Sequence, residues 1–189
     1  GSKDGTLEEI NRVIEAYPEK DIKVLTQDGK GKGDAVRKGF DEAKGELLMI
    51  LDADLTVPPE DLPKFYNAII YGKGEYINGT RLVYPMENQA MRFLNFWANR
   101  TFSVLFTWLI NQRLTDTLCG TKVLTKKNCI KIANNRHYFG DFDPFGDFDL
   151  IFGASKLNLK IVEVPIRYAE RRYGETQISR FSHGWLLLK

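Results

Sequence analysis

Residues 47–55 read Leu-Leu-Met-Ile-Leu-Asp-Ala-Asp-Leu, an apolar run that stops on two carboxylates one residue apart. Large apolar side chains in unbroken succession suit a strand covered on both faces, which commits the chain to a sheet with layers on either side. A strand buried for its own sake has no use for Asp52 and Asp54 at its end, because unpaired carboxylates are costly to desolvate. Delivered to the open end of a sheet, they can hold a hard divalent cation, with water and phosphate oxygens filling its remaining positions. The other reading is that the pair caps a helix starting near Pro58, a position Asp fills well.

The flanking sequence supplies the layers, since helical and strand patterns alternate through the first half. Thr6-Leu7-Glu8-Glu9 is a capping box, and Ile10, Val13, Ile14 and Tyr17 form an apolar stripe that Pro18 ends. A short strand is expected at 22–25. The glycine-rich turn Gly29-Lys30-Gly31-Lys32-Gly33 then leads into a helix with Val36, Phe40 and Ala43 turned inward, and the strand 47–51 follows. Further helices are expected at 58–70, 88–111, 126–133 and 148–157, and further strands at 76–79, 121–124, 161–164 and 166–168. The expected fold is therefore α/β, a mixed, mostly parallel sheet with helices on both faces. Open sheets of this kind bind ligands beyond the carboxyl ends of their strands. Arg81 falls at such an end, directly after the strand 76–79.

Composition narrows the partners. A chain of 189 residues, 43% of them hydrophobic, makes one domain with a full core. A net charge of +2 lacks the positive field of a nucleic-acid binder, so no nucleic acid is expected and anions must be met at discrete sites. Cys119 and Cys129 have no metal-ligand spacing and are too few for a disulfide framework, which points to a reducing compartment. His137 and His183 show no ligand spacing either. The apolar stretch 93–110 contains Arg100, which at bilayer depth would cost roughly 2.5–3.5 kcal/mol, so it is not expected to span a membrane. Its aromatic residues, among them Phe96, Trp97, Phe102, Phe106 and Trp108, occupy more than one side, so the helix is either deeply buried or meets lipid. The abrupt start and the helical pattern at 183–189 read as a single domain, 1–189, truncated at both ends.

Seven segments follow one another in a telling order. Gly1-Ser2-Lys3-Asp4-Gly5-Thr6 precedes Gly31-Lys32-Gly33-Asp34-Ala35-Val36-Arg37-Lys38-Gly39 and Asp52-Ala53-Asp54. Then come Asp116-Thr117-Leu118-Cys119-Gly120-Thr121-Lys122, Asp147-Phe148-Asp149-Leu150, Glu163-Val164-Pro165 and Arg172-Tyr173-Gly174-Glu175-Thr176. Each is weak alone. Together they resemble the family 2 glycosyltransferases of the GT-A fold, and within them the branch similar to dolichyl-phosphate mannose and glucose synthases and bacterial polyprenyl-phosphate glycosyltransferases. The resemblance covers nearly the whole chain. It departs in three places: the family's opening strand with its Pro-x-x-Asn-Glu turn is missing, its Ser-Lys reads Thr176-Gln177, and Asp149 stands where Glu is more frequent.

The resemblance implies a nucleotide-sugar donor of the UDP-glucose or GDP-mannose type, held by Asp4, Lys32, Asp52, Ala53 and Asp54, with Asp52 and Asp54 ligating Mg2+ or Mn2+. Asp149, then Asp147, is the candidate general base for an inverting transfer to a hydroxyl. A polyprenyl or dolichyl phosphate acceptor is already anionic and needs cations more than a base, which singles out Arg81, Arg171 and Arg172. A lipid or glycan acceptor implies a protein peripheral to the cytoplasmic face of a membrane, with the helix 93–110 as its apolar landing surface. Two alternatives stay open. Residues 49–57 also fit a haloacid dehalogenase-type phosphatase, with Asp52 as nucleophile and Asp54 as acid/base. A truncated transferase that binds nucleotide or lipid without turnover is the other.

Overall fold

Four strands form one sheet: β1 (Leu47–Met49), β2 (Tyr76–Thr80), β3 (Lys122–Thr125) and β4 (Ile161–Pro165), in the spatial order β1-β3-β2-β4. The structure is a computed structural model that describes residues 4–81, 83, 93–136 and 146–169, with backbone alone at 93–96, 98 and 99. β3 runs antiparallel to both β1 and β2, whereas β2 and β4 are parallel. The sheet is thus mixed, as expected, with three strands pointing one way and β3 reversed between two of them. Helices α1 (Thr6–Ala16), α2 (Gly31–Glu42), α3 (Leu62–Ile70), α4 (Phe93–Ile110), α5 (Lys126–Asn134) and α6 (Asp147–Lys156) complete the described elements.

Alternation along the strands divides the core. Tyr76, Leu48 and Leu124 join Phe40 of α2, Phe106 and Ile110 of α4, and Phe148, Ile151 and Ala154 of α6 in one cluster. Phe106 anchors it, stacked on Phe148 at 5.1 Å and tilted against Phe152 at 4.9 Å. Ile77 and Val123 turn to the other face, where Phe65 and Ala68 of α3, Cys119 and Ile166 cover them. Residues 47–51, of which only 47–49 form β1 rather than the whole run expected, are therefore covered on both faces, which is why their sequence does not alternate.

The departures have local causes. Residues 22–25 form no strand: Ile22, Val24 and Leu25 are at least 36% exposed, and no described strand lies beside them to complete a ladder. The capping box does not close. Gly5 is the residue before α1, and Asp4 Oδ1 instead accepts from Thr6 N (3.2 Å) and Thr6 Oγ1 (2.5 Å). The helix expected at 58–70 starts as a short 3-10 turn, Pro59–Asp61, before α3. Residues 166–168 form no strand; past Pro165 the chain crosses the end of the sheet through Ile166 N to Thr80 O (3.0 Å) and Ala169 N to Thr56 O (2.9 Å). The expected features at 1–3, 88–92 and 171–189, with His137 and His183, lie outside the described residues.

Candidate active site

The carboxyl ends of β1 and β2 and the amino end of the reversed strand β3 meet at one edge of the sheet. Ile50 N reaches Lys122 O (3.0 Å) and Gly79 N reaches Thr121 O (2.9 Å), so residues 121–122 are held between the two neighbours. Beyond β1 the chain turns sharply, Leu55 N donating to Asp52 O at 3.2 Å, with Leu55 itself at φ 52°. A left-handed leucine is a strained conformation that packing must hold in place, and such strain is characteristic of ligand sites. The turn presents Asp52, exposed Ala53 and Asp54 together at the sheet's end.

Asp54 does not cap the helix after Pro58. Its Oδ1 accepts from Thr56 N (3.2 Å) and Thr56 Oγ1 (2.9 Å), which fixes the carboxylate within its own turn. Asp52 faces Lys32 of the glycine-rich turn, Nζ lying 2.8 Å from Oδ1 and 3.1 Å from Oδ2. Burial on its own would lower the Lys32 pKa. The charges of Asp147 and Asp52 and the Asp52 hydrogen bond outweigh it and hold the ammonium above the ordinary lysine value. Gly120 closes the floor, since a Cβ there would overlap Asp52 Oδ2 and stand 2.7 Å from Lys32 Nζ.

The second acidic pair is set differently. Gly146, at φ 71°, opens α6 with its backbone against Gly33 of α2, where an added Cβ would come within 2.7 Å of the Gly33 Cα. This close crossing brings the amino ends of both helices to the same edge. Asp147 pairs with the fully buried Lys122, Nζ to Oδ1 2.8 Å. Asp149 lies between two guanidinium groups, 3.0 Å from Arg136 Nε and 3.6 Å from Arg37 Nη1.

Arg81 reaches this edge from β2, with Nε and Nη2 on the two oxygens of Asp116 (2.6 and 2.7 Å) and its guanidinium 5.1 Å above the Tyr168 ring. Asp116 Oδ2 also takes Arg81 N (3.0 Å), and Oδ1 takes Leu118 N (3.1 Å). Glu163 supports the loop from beneath, accepting from Thr115 N, Thr115 Oγ1 and Asp116 N at 2.8–3.0 Å. Burial raises the Glu163 carboxyl above its usual value despite these donors. Burial likewise pushes the Cys119 thiol up to about 11, aided by Asp116, so it is neutral at pH 7 and no nucleophile.

Of the residues expected from the sequence, Lys32, Asp52, Ala53, Asp54, Arg81, Asp147 and Asp149 lie on elements that converge here. Asp4 is exposed at the start of α1 with only local partners among the described residues. Arg171 and Arg172 lie outside the described residues. Lys122, Arg37 and Arg136 were given no role in advance. Lys122 stood in a quoted segment, but nothing in a sequence distinguishes a buried lysine from a solvated one. The donor set fits a hard cation: two carboxylates and no nitrogen or sulfur ligand at the turn. Among the described residues no group of three or more His, Cys, Asp or Glu gathers as a metal cage, so ligand oxygens would have to complete the shell.

The α/β architecture, a mixed sheet with helices on its faces and the carboxylate turn at the end of β1, matches the fold of solved GT-A glycosyltransferases. Glucosyl-3-phosphoglycerate synthase from Mycobacterium tuberculosis, solved with Mn2+, uridine diphosphate and glucosyl-3-phosphoglycerate, superimposes with a TM-score of 0.62, at 16% identity, over 97% of this chain and 62% of its own. The chain belongs to glycosyl transferase family 2, whose model matches residues 1–132. The undecaprenyl-phosphate 4-deoxy-4-formamido-L-arabinose transferase of Edwardsiella ictaluri is 26% identical over 94% of this chain and 50% of its own length. The dolichyl-phosphate beta-glucosyltransferase of Dictyostelium discoideum is 26% identical over 90% of this chain and 53% of its own. The chain thus spans about half the length of these curated relatives. Family membership replaces the phosphatase alternative.

Proposed function

We propose that this chain is the catalytic domain of a metal-dependent, inverting glycosyltransferase that moves a hexose from a UDP-glucose- or GDP-mannose-type donor to a polyprenyl or dolichyl phosphate, for cell-surface glycan or glycolipid synthesis. The observation that carries the reading is the Asp52–Asp54 turn with Lys32 against it at the ligand-binding edge of the sheet. The relatives named for undecaprenyl and dolichyl phosphate transfer support the acceptor class.

Asp52 and Asp54 would hold Mg2+ or Mn2+, which when bound neutralises charge on a leaving diphosphate. Lys32 would move from Asp52 to a phosphate oxygen. An acceptor phosphate oxygen bonds to the anomeric carbon as the bond from that carbon to the β-phosphate oxygen breaks, its electron pair leaving with the nucleoside diphosphate. No proton need be removed from such an acceptor, so Asp149 serves as base only if the acceptor is a hydroxyl, with Asp147 second. For a phosphate, Arg171 and Arg172 are the candidate cations, while Arg81, bonded through Nε and Nη2 to Asp116, and Arg37 and Arg136, beside Asp149, would have to exchange a carboxylate for it.

The acceptor's lipid needs a surface. Trp97, Val104, Leu105, Trp108 and Leu109 of α4 are exposed, Trp108 at 77%, while Ser103, Phe106 and Ile110 of the same helix face the core. Exposed Arg100 and Arg113 flank the apolar side chains and suit anionic headgroups. Among the described residues no helix is long and apolar enough to cross a membrane. The face therefore suits lying in an interface, with the catalytic edge at the cytoplasmic side.

Calorimetric titration of UDP-glucose and GDP-mannose, with and without Mn2+, tests the donor half of this reading. One donor should bind only with metal, and Asp54→Ala should abolish the binding. Transfer of radiolabelled hexose to a short polyprenyl phosphate in vesicles tests the rest. Binding without transfer would favour the non-catalytic module; binding of neither donor would overturn the proposal.

A further inference from the structure

Lys122 is a cation in the core whose partners lie on both sides of the candidate site. It is fully buried at the first position of β3, opposite Asn78 of β2. Its Nζ donates to the Cys119 carbonyl and pairs with Asp147 Oδ1 at 2.8 Å. A desolvated ammonium is tolerated only where its partners are fixed, so each of these contacts is held by a large penalty for losing it.

Two consequences reach the site. The bond to the Cys119 carbonyl closes the turn over residues 119–122, in which the Gly120 backbone lies against Asp52 and Lys32, and a Cβ there would have to displace both side chains. The pair with Asp147 fixes the first turn of α6, whose leading residue Gly146 packs against Gly33, the neighbour of Lys32. Charge alternates from the core to the open edge in the order Lys122, Asp147, Lys32, Asp52.

We infer that Lys122 is a positioning residue for the donor's diphosphate: by anchoring the Cys119–Gly120 turn and Asp147, it sets where the Lys32–Asp52 pair stands. The inference rests on the nucleotide-sugar reading of the site. Its alternative is a purely structural ion pair, and physical chemistry separates the two. A buried pair that serves only folding can be exchanged for apolar side chains of similar volume with little loss, or with a gain in stability. A pair that positions a site cannot be exchanged without changing the site.

The test compares the wild-type chain with Lys122→Met and with the double variant Lys122→Met/Asp147→Leu, by urea unfolding and by titration of UDP and GDP in the presence of Mn2+. Lys122→Met strands Asp147 and is expected to be strongly destabilised. The double variant should regain stability yet bind nucleotide at least about tenfold more weakly, the range seen when groups supporting a metal site are removed. Its net charge equals that of the wild type, so weaker binding of an anion does not come from a change in overall charge. Backbone amide shifts give a readout that needs no nucleotide: Gly120 and Asp52 should move in the double variant while Ile132 and Gly153, at the α5–α6 contact, stay in place. Wild-type binding matched by the double variant, or unmoved Gly120 and Asp52 amides, would overturn the inference. Absence of nucleotide binding in the wild type would instead count against the proposed function, and the amide shifts would still decide the role of Lys122.

Discussion

Asp52 and Asp54 sit beyond the end of β1, whereas Asp147 and Asp149 sit in the first turn of α6, and the same spacing produces opposite settings. In the irregular turn both carboxylates are presented at the sheet edge, Asp52 with a side chain 39% exposed and a single lysine beside it. In a helix, residues two apart point about 200° away from each other. Asp147 accordingly turns down to buried Lys122 and Asp149 out to Arg37 and Arg136, with side chains only 10% and 11% exposed. An Asp-x-Asp spacing therefore does not fix a role. The backbone that carries it and the cations around it do: Asp52 of the first pair keeps a part-exposed side chain beside Lys32, and the second pair is buried against Lys122, Arg37 and Arg136.

Removing one carboxylate from each pair should sharpen this contrast most. Asp147→Ala takes from buried Lys122 its carboxylate partner among the described residues, leaving the Cys119 carbonyl, and should cost roughly 3–5 kcal/mol in urea unfolding. Asp52→Ala, which breaks a part-exposed pair, should cost less than about 1 kcal/mol. Equal losses would break the comparison. The ligand side should behave inversely: Asp54→Asn is expected to weaken Mn2+-dependent nucleotide binding by more than about 100-fold, beyond the cost of a supporting residue. Asp149→Asn should leave that binding within about threefold, since its ion pairs among the described residues are with Arg37 and Arg136 rather than with Asp52, Asp54 or Lys32. Loss of donor binding in Asp149→Asn would show that the two pairs form one site.

Arg81 and Asp116 extend the series to a carboxylate with no exposure at all. Their two parallel bonds require the planar fork of a guanidinium. Arg81→Lys keeps the charge but only one of those bonds, and should cost roughly 1.5 kcal/mol in the same unfolding measurement. A neutral outcome would mean that the loop 115–118 is held chiefly by Glu163.

How much of this was legible beforehand follows the same line. The run 47–51 and its aspartates were readable because an unbroken apolar run ending in charge has few other uses. The helices at 126–133 and 148–157 were readable from their periodicity, to within a residue or so at each end. The strand at 22–25 was not, because a strand depends on a neighbour that local pattern does not report. Long-range pairing was hidden too. Lys122 meets Asp147 across 25 residues, and Arg81 meets Asp116 across 35. Nothing in either segment alone says which arginine is engaged by the protein and which is offered to a ligand. The exposed side of α4 was half legible: the excess of large apolar residues was visible, but which of them the core would take depended on where α6 packs.

Glu163 is the mildest case, a carboxylate supported by hydroxyl and backbone donors, with no cation bonded to it among the described residues. Burial raises its folded pKa above 4.5, with the nearby Asp116 charge acting in the same sense. Between 4.5 and that raised value the folded state holds a proton that the unfolded chain has released. Stability should therefore fall as pH rises through this window, the reverse of the usual carboxylate trend. Glu163→Gln cannot ionise and should lose that slope when unfolding is measured from pH 4 to 7. It also replaces one accepting oxygen with an NH2 group facing Thr115 N–H, so a uniform drop in stability is expected beside the lost slope. An unchanged slope would assign the pH dependence elsewhere and leave Glu163 charged throughout, as a buried anion stabilised by N–H and O–H dipoles alone.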